Sequence, residues 1–232
     1  MSCAQCEGID QLFDSKRARR QLLKFRRKGA DRTTRMLIED VQAAMPQPGD
    51  NIPASLLLDV GAGVGAIHHT LLDRGVERAV HVDASSAYLS AAREETERRG
   101  HATRVEFVQG DLVDVADRVP TADIVTLDRV ICCYHDMRGL VSRSGAKARF
   151  IYGAVYPREG WWTRLVVDAE NVFFRLRGSP FRTFLHSPSD IDSVLAAQGL
   201  RRRSVRRTVG WEVAVYTRSN AGDSESNGGS DA

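Results

Sequence analysis

The segment LLLDVGAGVGAI, residues 56–67, restricts the fold of this chain more than any other stretch. A short apolar run leads directly into a glycine-rich turn, and a helical pattern follows. Gly61 allows a tight turn, Gly63 lets a ligand approach the backbone, and Gly65 permits close packing of the new helix. The free N–H groups at the start of that helix would face a ligand. The segment therefore predicts a ligand site at the end of the first strand of an α/β domain.

The pattern that follows is typical of βαβ units around a parallel sheet, because short apolar runs alternate with helical stretches. The predicted strands cover residues 56–60, 78–83, 104–109, 123–128 and 149–156, with helices near 65–74 and 86–99. Gly75 and Gly100 stand where these two helices should end. Two final strands, around 201–208 and 211–217, meet at a turn containing Gly210. We expect an α/β domain built around a parallel sheet, with two further strands at its C-terminal end.

Four further helices are predicted outside this core, and one of them runs from Pro188 to Gln198, with Ser187 before it and Gly199 after it. Residues 11–28 hold eight Lys or Arg and one acid, and a second helix with Leu37 and Val41 on its apolar side should stop at Pro46. A third helix within 157–187 carries an apolar stripe, which either helps to enclose an acceptor or packs on the core. We predict an N-terminal helical cover over 1–52, a catalytic domain over 53–218 with a helical insertion at 157–187, and a disordered acidic tail over 219–232.

Composition limits the class of protein. With 232 residues, 42% of them hydrophobic and 27% charged, the chain is typical of a soluble globular domain. No apolar run is long enough to span a bilayer and no signal peptide is visible, so a cytoplasmic location is expected. Four cysteines, Cys3, Cys6, Cys132 and Cys133, are too few for a secreted disulfide framework. Cys3 and Cys6 form a single C-x-x-C without a partner motif, so no metal site is predicted.

Four carboxylates lie where predicted strands end: Asp59, Asp83, Asp111 and Asp128. Open α/β sheets bind ligands at that edge. Three alternatives stay open. A helix-capping role would explain Asp83 or Asp111, and a salt-bridged turn would explain Asp128 beside Arg129. Gly61, Gly63 and Ala66 also satisfy the G-x-G-x-x-A variant of a dinucleotide fingerprint, which would place NAD or a flavin here.

Four motifs between Leu56 and Arg129 together resemble those of class I S-adenosylmethionine-dependent methyltransferases. They are DVGAGVG, HVDAS, QGDL and DIVTLDR, in that order. The resemblance implies a Rossmann-like, doubly wound, mostly parallel seven-stranded sheet with a C-terminal antiparallel hairpin. A cofactor that bears a sulfonium and an ammonium suits an acidic edge better than the pyrophosphate of NAD does, so S-adenosylmethionine is the expected cofactor.

The resemblance also implies a role for each motif residue. Asp59, with the backbone of Gly61, Ala62, Gly63 and Gly65, would hold the methionine end of the cofactor. Asp83, next to Ala84, would accept hydrogen bonds from both ribose hydroxyls. Asp111 and the Leu112 N–H would contact the adenine, and Asp128 with Arg129 would border the transferred methyl group. His68 and His69 show no metal-ligand pattern and are expected at the surface or beside the cofactor.

The stretch VICCYHD, residues 130–136, supplies the candidate acceptor side. Tyr134, His135 and Cys133 could face the acceptor, with Asp128 completing the catalytic candidates, and a histidine suits proton removal near neutral pH. A surface histidine beside Asp136 is the alternative. The segments LFD, LDRVICCY and VYPR resemble the magnesium-protoporphyrin and quinone-methylating branches, although Cys132 and Cys133 stand where the porphyrin enzymes carry a histidine.

The sequence therefore predicts a methyltransferase that acts on a small or medium-sized, apolar or planar organic acceptor. A nucleic-acid methyltransferase is one alternative, favoured by the basic N-terminal helix and the run RRRSVRR at 201–207. The N-P-P motif of amino-methylating DNA enzymes is absent after Asp128. A non-catalytic protein that binds the cofactor for regulation or assembly is the other alternative. Peripheral contact with a membrane and the oligomeric state stay open.

Overall fold

A single seven-stranded sheet organises the molecule. The computed structural model describes residues 12–45 and 56–218. The strands lie in the order β3-β2-β1-β4-β5-β7-β6, and β7 runs antiparallel to both of its neighbours while the other pairs are parallel. Their bounds are β1 Leu56–Val60, β2 Arg78–Asp83, β3 Val105–Gln109, β4 Ala122–Asp128, β5 Ala148–Pro157, β6 Leu200–Arg207 and β7 Trp211–Arg218. The predicted fold class and C-terminal hairpin are confirmed.

Helices cover both faces of the sheet. They are α1 Ser15–Lys28, α2 Arg32–Ala44, α3 Ala66–Leu72, α4 Ser86–Arg98, α5 Leu112–Val115, α6 Met137–Lys147, α7 Trp161–Leu176 and α8 Pro188–Ala196. Short 3-10 turns occupy Ala116–Arg118 and Ile131–Cys133. None of the helices in the described ranges is long and apolar enough to cross a membrane. The predicted tail, residues 219–232, lies outside the described residues, and so do the two prolines at 46 and 48.

The strand order reverses between β1 and β4, and this reversal determines where a ligand can bind. From β1 the chain moves outward to β2 and β3, and it then returns to the other side of β1 with β4 and β5. The connections after β1 and β4 therefore leave the sheet in opposite directions and open a crevice at the carboxyl ends of the strands. The register pairs Val60 with Val82 on one side and with Leu127 on the other, so the three strands end at one level.

The two N-terminal helices are held to the domain in different ways. On α2, Leu37 and Val41 are fully buried against the sheet, and a Cβ at Gly153 of β5 would lie only 2.8 Å from Leu37 Cδ1. On α1, Leu22 and Phe25 pack against the Tyr88 side of α4. Burial of these apolar faces keeps both helices next to the crevice.

A buried carboxylate strengthens the contact between α1 and α4. Glu95 is fully buried and binds three guanidinium groups: Arg26 Nε at 2.8 Å, Arg98 Nη2 at 2.6 Å and Arg99 Nε at 2.7 Å. Although burial alone raises it, the pKa of Glu95 is lowered overall by the hydrogen bonds from these arginines. A buried charge is tolerated here because it is paired on every side.

The third predicted helix differs from expectation. The apolar stripe of α7 does not pack on the core, so that alternative is wrong. Only Val167 of this helix is buried, and Asn171 fixes its inner side by a pair of 2.8 Å hydrogen bonds with the Thr183 backbone. We call the exposed stripe the outer face of α7; it consists of Trp161, Trp162, Leu165, Val166, Val172, Phe173 and Leu176.

Candidate cofactor and acceptor cleft

A cleft of about 880 Å³ opens at the reversal point of the sheet. It brings together most of the residues that the sequence predicted as a site. Those that line it are Gly61, Gly63, Asp83, Ala84, Asp111, Leu112, Asp128, Arg129 and Tyr134. A smaller pocket of about 60 Å³ adjoins it and is lined by Asp59 and Ala62 as well as by Asp31 and Thr34 from the α2 end of the cover.

Asp83 is held by backbone groups in an orientation suited to a ligand. The Gly63 N–H donates to Oδ2 and the Ser85 N–H donates to Oδ1, both at 2.9 Å. Burial raises the pKa of Asp83 to about 6, although these N–H groups lower it. The cap of α4 is Ser85, whose hydroxyl accepts from the Tyr88 N–H at 3.3 Å. Because each carboxylate oxygen can accept a second hydrogen bond, Asp83 can still bind a diol.

Asp59 lies at the floor of the smaller pocket and is almost completely buried. The Thr126 hydroxyl donates to Oδ1 at 2.8 Å, and His68 Nδ1 is 3.2 Å from Oδ2. Burial raises the pKa of Asp59 to about 7 and lowers that of His68 to about 3. The carboxylate is thus held by protein groups beneath the glycine turn, and its predicted contact with the methionine end of a cofactor stays a prediction.

Gly65 shapes the turn from behind. It has φ +82°, and a Cβ there would lie 2.4 Å from Cε1 of His68 and 3.0 Å from Cδ2 of His69. Only glycine adopts this conformation readily, and only glycine leaves room for the two rings. Gly65 is not among the residues that line either cavity, so its effect on a ligand would act through the shape of the turn.

Four histidines form a buried cluster under the turn that the sequence did not reveal. His68 and His69 are fully buried, so a surface position for them is wrong. The ring of His68 lies 4.3 Å from His69 and 5.1 Å from His81, and His69 lies 5.4 Å from His101. Burial lowers the pKa of each of them, which keeps the imidazoles neutral near pH 7. Among these four side chains, the ring of His68 lies within hydrogen-bond distance of a predicted site residue, Asp59.

Asp111 caps a helix at the far end of the cleft. Its Oδ1 accepts from the Val113 N–H at 2.9 Å at the start of α5, so the capping role considered for it is observed. Asp111 and Leu112 nevertheless line the cleft. The cap fixes the carboxylate and turns the adjacent backbone toward the cavity, where both would be available to a ring with donor and acceptor atoms.

Asp128 and Arg129 form a salt-bridged turn, as one alternative anticipated. Arg129 donates from Nε to Oδ1 of Asp128 at 3.0 Å and from Nη2 to Oδ2 at 3.1 Å, and the Thr34 hydroxyl donates to Oδ2 at 2.5 Å. Arg129 has φ +62°, an uncommon value for a residue other than glycine. The network extends to Asp31, 3.7 Å from Arg129 Nη1, and thus ties α2 to the end of β4.

The predicted acceptor residues separate at this point. Tyr134, Cys132 and Cys133 line the cleft. His135 is exposed and is not among the lining residues; its ring lies 5.8 Å from that of Tyr134. A different histidine, His186, approaches the same loop, with Nε2 2.8 Å from the Tyr134 carbonyl oxygen. The structure therefore brings Tyr134 to the cavity but leaves His135 just outside it.

One wall of the cleft is built from side chains that sequence reasoning missed as site residues. Five residues on one face of α1 point into it: Lys16, Arg17, Arg20, Gln21 and Lys24. Their helical spacing was the available signal. Phe13, Phe174 and Phe181 add an aromatic cluster, with the Phe181 ring 5.2 Å from Phe174 and 6.0 Å from Phe13. We call these eight residues the acceptor wall.

Comparison with known proteins agrees with this geometry. Residues 58–144 match the family described as "Methyltransferase domain". Among solved structures, magnesium protoporphyrin IX methyltransferase from Synechocystis PCC 6803 with bound S-adenosylhomocysteine superposes with a TM-score of 0.63 at 18% identity, over 81% of this chain and 82% of that one. No curated protein matches the sequence.

Two further structures show how widely the fold is used. An O-methyltransferase family protein from Burkholderia thailandensis gives a TM-score of 0.66 at 17% identity, covering 92% of this chain and 63% of that one. Geranyl diphosphate C-methyltransferase from Streptomyces coelicolor A3(2) gives 0.60 at 14% identity, covering 80% and 77%. At such identities the likeness establishes the fold, and these proteins act on different acceptors.

Proposed function

Because this chain contains a class I S-adenosylmethionine-dependent methyltransferase domain, we propose that it methylates a small or medium-sized, apolar or planar organic acceptor. We call Gly61, Gly63, Asp83 and Asp111 the cofactor edge. The observation that carries this proposal is that one cleft is lined both by this edge and by the acceptor wall. A volume of about 880 Å³ is enough for a cofactor and a second organic molecule side by side, since ligand sites commonly measure about 300–1,000 Å³.

The residues on the cofactor edge suit S-adenosylmethionine. Asp83 offers two oxygens to a ribose diol, and Gly63 lacks a Cβ that would narrow the approach to the backbone. Asp111 and the Leu112 N–H are available to an adenine at the opposite end. When bound, the cofactor supplies an electrophilic methyl group on a sulfonium. The protein's task is then to align the acceptor atom with that methyl group and to exclude water.

The acceptor wall supports an apolar or planar acceptor. Its aromatic side chains Phe13, Phe174 and Phe181 meet edge to face, an arrangement that offers ring faces to a flat ligand. Tyr134 and the two cysteines continue this surface toward the end of β4. The basic side chains of α1 lie beside the aromatic ones, with the Arg17 guanidinium 5.0 Å from the centre of the Phe13 ring, and would favour an acceptor that carries a negative charge at one end.

The candidate catalytic residues have separate tasks in this proposal. Asp128 holds Arg129 and Thr34 and so fixes the shape of the cavity beside the methyl group. Tyr134 lines the cleft and would position the acceptor. His135 is exposed beside it and is the candidate group that would accept the acceptor's proton. If His135→Ala retains wild-type turnover on the true acceptor, methyl transfer here depends on positioning alone.

The nucleic-acid alternative loses one of its supports. Three arginines of the basic run on β6 are engaged by acids: Arg202 by Asp192, Arg206 by Glu39 and Asp40, and Arg207 by Glu212. These pairs attach β6 to α2, α8 and β7 and reduce the positive charge that the strand offers to a phosphate backbone. The small-molecule acceptor is therefore the proposal that we retain.

Two experiments test the proposed function. Isothermal titration should detect binding of S-adenosylmethionine and no tight binding of NAD; the opposite result would overturn the cofactor assignment. Incubation with cofactor labelled in the methyl group and a cell extract should then transfer label to a low-molecular-weight product that mass spectrometry can identify. Label in RNA or DNA would favour the nucleic-acid alternative, and cofactor binding without any transfer would favour a non-catalytic binding protein.

A further inference from the structure

The outer face of α7 is the largest exposed apolar feature in the described parts of the chain. Seven of its side chains are large, apolar and exposed, and outside α7 the corresponding set contains only Leu23 and Val209. Trp161 is 76% exposed and Leu176 at the other end of the helix is 82% exposed. Single exposed apolar residues are ordinary, but a continuous stripe along one helix indicates a binding surface.

The orientation of α7 is fixed, so the stripe is not a core face that has been turned outward. Asn171 is held by the Thr183 backbone, Val167 is buried, and Phe174 packs edge to face on Phe181. These inner residues lie on the opposite side of the helix from Trp161 and Leu165. Rotating the stripe inward would break these contacts and expose Val167.

The remaining segments of the chain are poorly suited to cover this stripe. Residues 1–11 contain two large apolar side chains, Met1 and Ile9. Residues 46–55 contain one, Ile52, and residues 219–232 contain none. Burial of an apolar surface needs an apolar partner, and these stretches offer too little.

A second copy of the chain is the competing occupant of this face. A dimer joined through it would be dissociated by a polar substitution in the stripe, and the experiment below includes that outcome.

The charges around α7 favour an anionic lipid surface. Arg158, Arg164, Arg175 and Arg177 are exposed, and none of them forms an ion pair with a described residue. The same segment carries three acids, Glu159, Asp168 and Glu170, of which Glu170 lines the cleft, so residues 158–177 have a net charge of +1. The guanidinium of Arg177 lies 4.4 Å from the centre of the Phe173 ring. Helices that lie in a membrane interface typically carry tryptophan, leucine and phenylalanine on one side and basic residues beside them. The outer face of α7 and its neighbouring arginines follow this pattern.

We propose that α7 docks the protein on the surface of an anionic lipid bilayer, with its outer face inserted among the acyl chains and its arginines at the headgroups. The inner side of the same helix lines the cleft through Glu170 and Phe174. Docking in this way would place the cleft on the far side of α7 from the bilayer, one helix away from it. The docking itself does not depend on methyl transfer.

Vesicle sedimentation of the full chain tests this proposal. Binding to phosphatidylcholine vesicles containing 30% phosphatidylglycerol should exceed binding to pure phosphatidylcholine at least ten-fold and should weaken as salt is raised. Trp161 and Trp162 are two of the three tryptophans, so the emission should shift to the blue and be quenched by brominated lipid. Equal binding to both vesicles, or binding to neither, would overturn the proposal.

Two leucines provide a matched pair of variants. Leu165 on the outer face is 54% exposed, and Leu23 on α1 is 52% exposed. Leu165→Ser should weaken vesicle binding about ten-fold, whereas Leu23→Ser should change it less than two-fold. Circular dichroism should show both variants folded, since both positions are exposed. Equal losses in the two variants would contradict the proposal, as would a dimer in sedimentation velocity that Leu165→Ser dissociates.

Discussion

The two sides of the cleft are built in different ways. The cofactor edge consists of a glycine turn and of carboxylates held by backbone N–H groups, as in the Gly63–Asp83 hydrogen bond. The acceptor wall consists of side chains from α1, α7 and the loop around Phe181. The first side is determined by the sheet and tolerates little change, whereas the second can vary without altering the fold. Structures that share this fold include magnesium protoporphyrin IX methyltransferase and geranyl diphosphate C-methyltransferase, whose names state different acceptors.

The largest effect should come from filling the turn. Gly65→Ala places a Cβ at φ +82° and within 2.4 Å of the buried His68 ring. We expect strain of about 1–2 kcal/mol and overpacking of about 1–3 kcal/mol. Urea unfolding measures the loss. Gly100→Ala is the matched control, because Gly100 has φ +72° with no atom within 4 Å of its Cβ, and it should show the strain alone. Equal losses would mean that the turn has room for a side chain.

Removal of the ribose acceptor should come next. Asp83→Ala takes away two charge-assisted hydrogen bonds and should weaken cofactor binding by about 2–4 kcal/mol, or roughly 30- to 1000-fold. Isothermal titration measures it. Asp136→Ala is the control, since Asp136 also accepts from a backbone N–H but lies at the start of α6. If neither Asp83→Ala nor Asp136→Ala changes the affinity for the cofactor, Asp83 only supports the backbone.

The pH dependence of cofactor binding should test the carboxylates of the cofactor edge. The pKa of Asp83 is about 6 because it is buried, so its carboxylate form is lost as the pH falls below 6. Affinity should then drop up to about ten-fold for each further pH unit, since protonation removes an acceptor from the ribose site. Asp83→Asn should flatten this dependence. If the cofactor affinity of Asp83→Asn still changes between pH 7 and pH 6, that change would report the titration of Asp59, whose pKa is about 7.

The smallest effect should come from the acceptor wall. Phe181 is 3% exposed, and Phe181→Leu removes its ring contacts. An aromatic contact contributes about 0.5–1.5 kcal/mol, so the substitution should raise the acceptor KM about two- to ten-fold. The cofactor Kd should stay within two-fold. Phe150→Leu, on β5 and packed against the core away from the cleft, should change neither constant. A loss of cofactor affinity in Phe181→Leu would show that the two sides are not independent.

The same division accounts for what the sequence could predict. Strand periodicity and the glycine turn define the cofactor edge locally, so the order of strands and the positions of Asp83, Asp111 and Asp128 followed from short segments. The acceptor wall depends on which face of α1 or α7 meets the cleft, and a helical stripe alone does not state what covers it. The stripe with Leu37 and Val41 is buried, and the stripe of α7 is exposed.

The buried histidine cluster was missed for a related reason. His68 and His69 follow the glycine turn in a polar-looking stretch, and their burial results from contacts with His81 on β2 and His101 beyond α4. Such contacts join residues that are far apart in the chain, and no local sequence pattern predicts them. The exposed position of His135 likewise depends on how the loop after β4 folds around Tyr134.

The place of β7 in the sheet bears on how the protein folds during synthesis. Among the strands of the described ranges, β6 pairs only with β7, and β7 is inserted between β5 and β6, although it is synthesised last of the seven. Until residues 211–218 leave the ribosome, β5 has an open edge and β6 has no partner in the sheet. During that interval the backbone N–H and C=O groups on this edge of β5 are unpaired and can bind another strand. A chaperone that shields β5 would therefore have its greatest effect then.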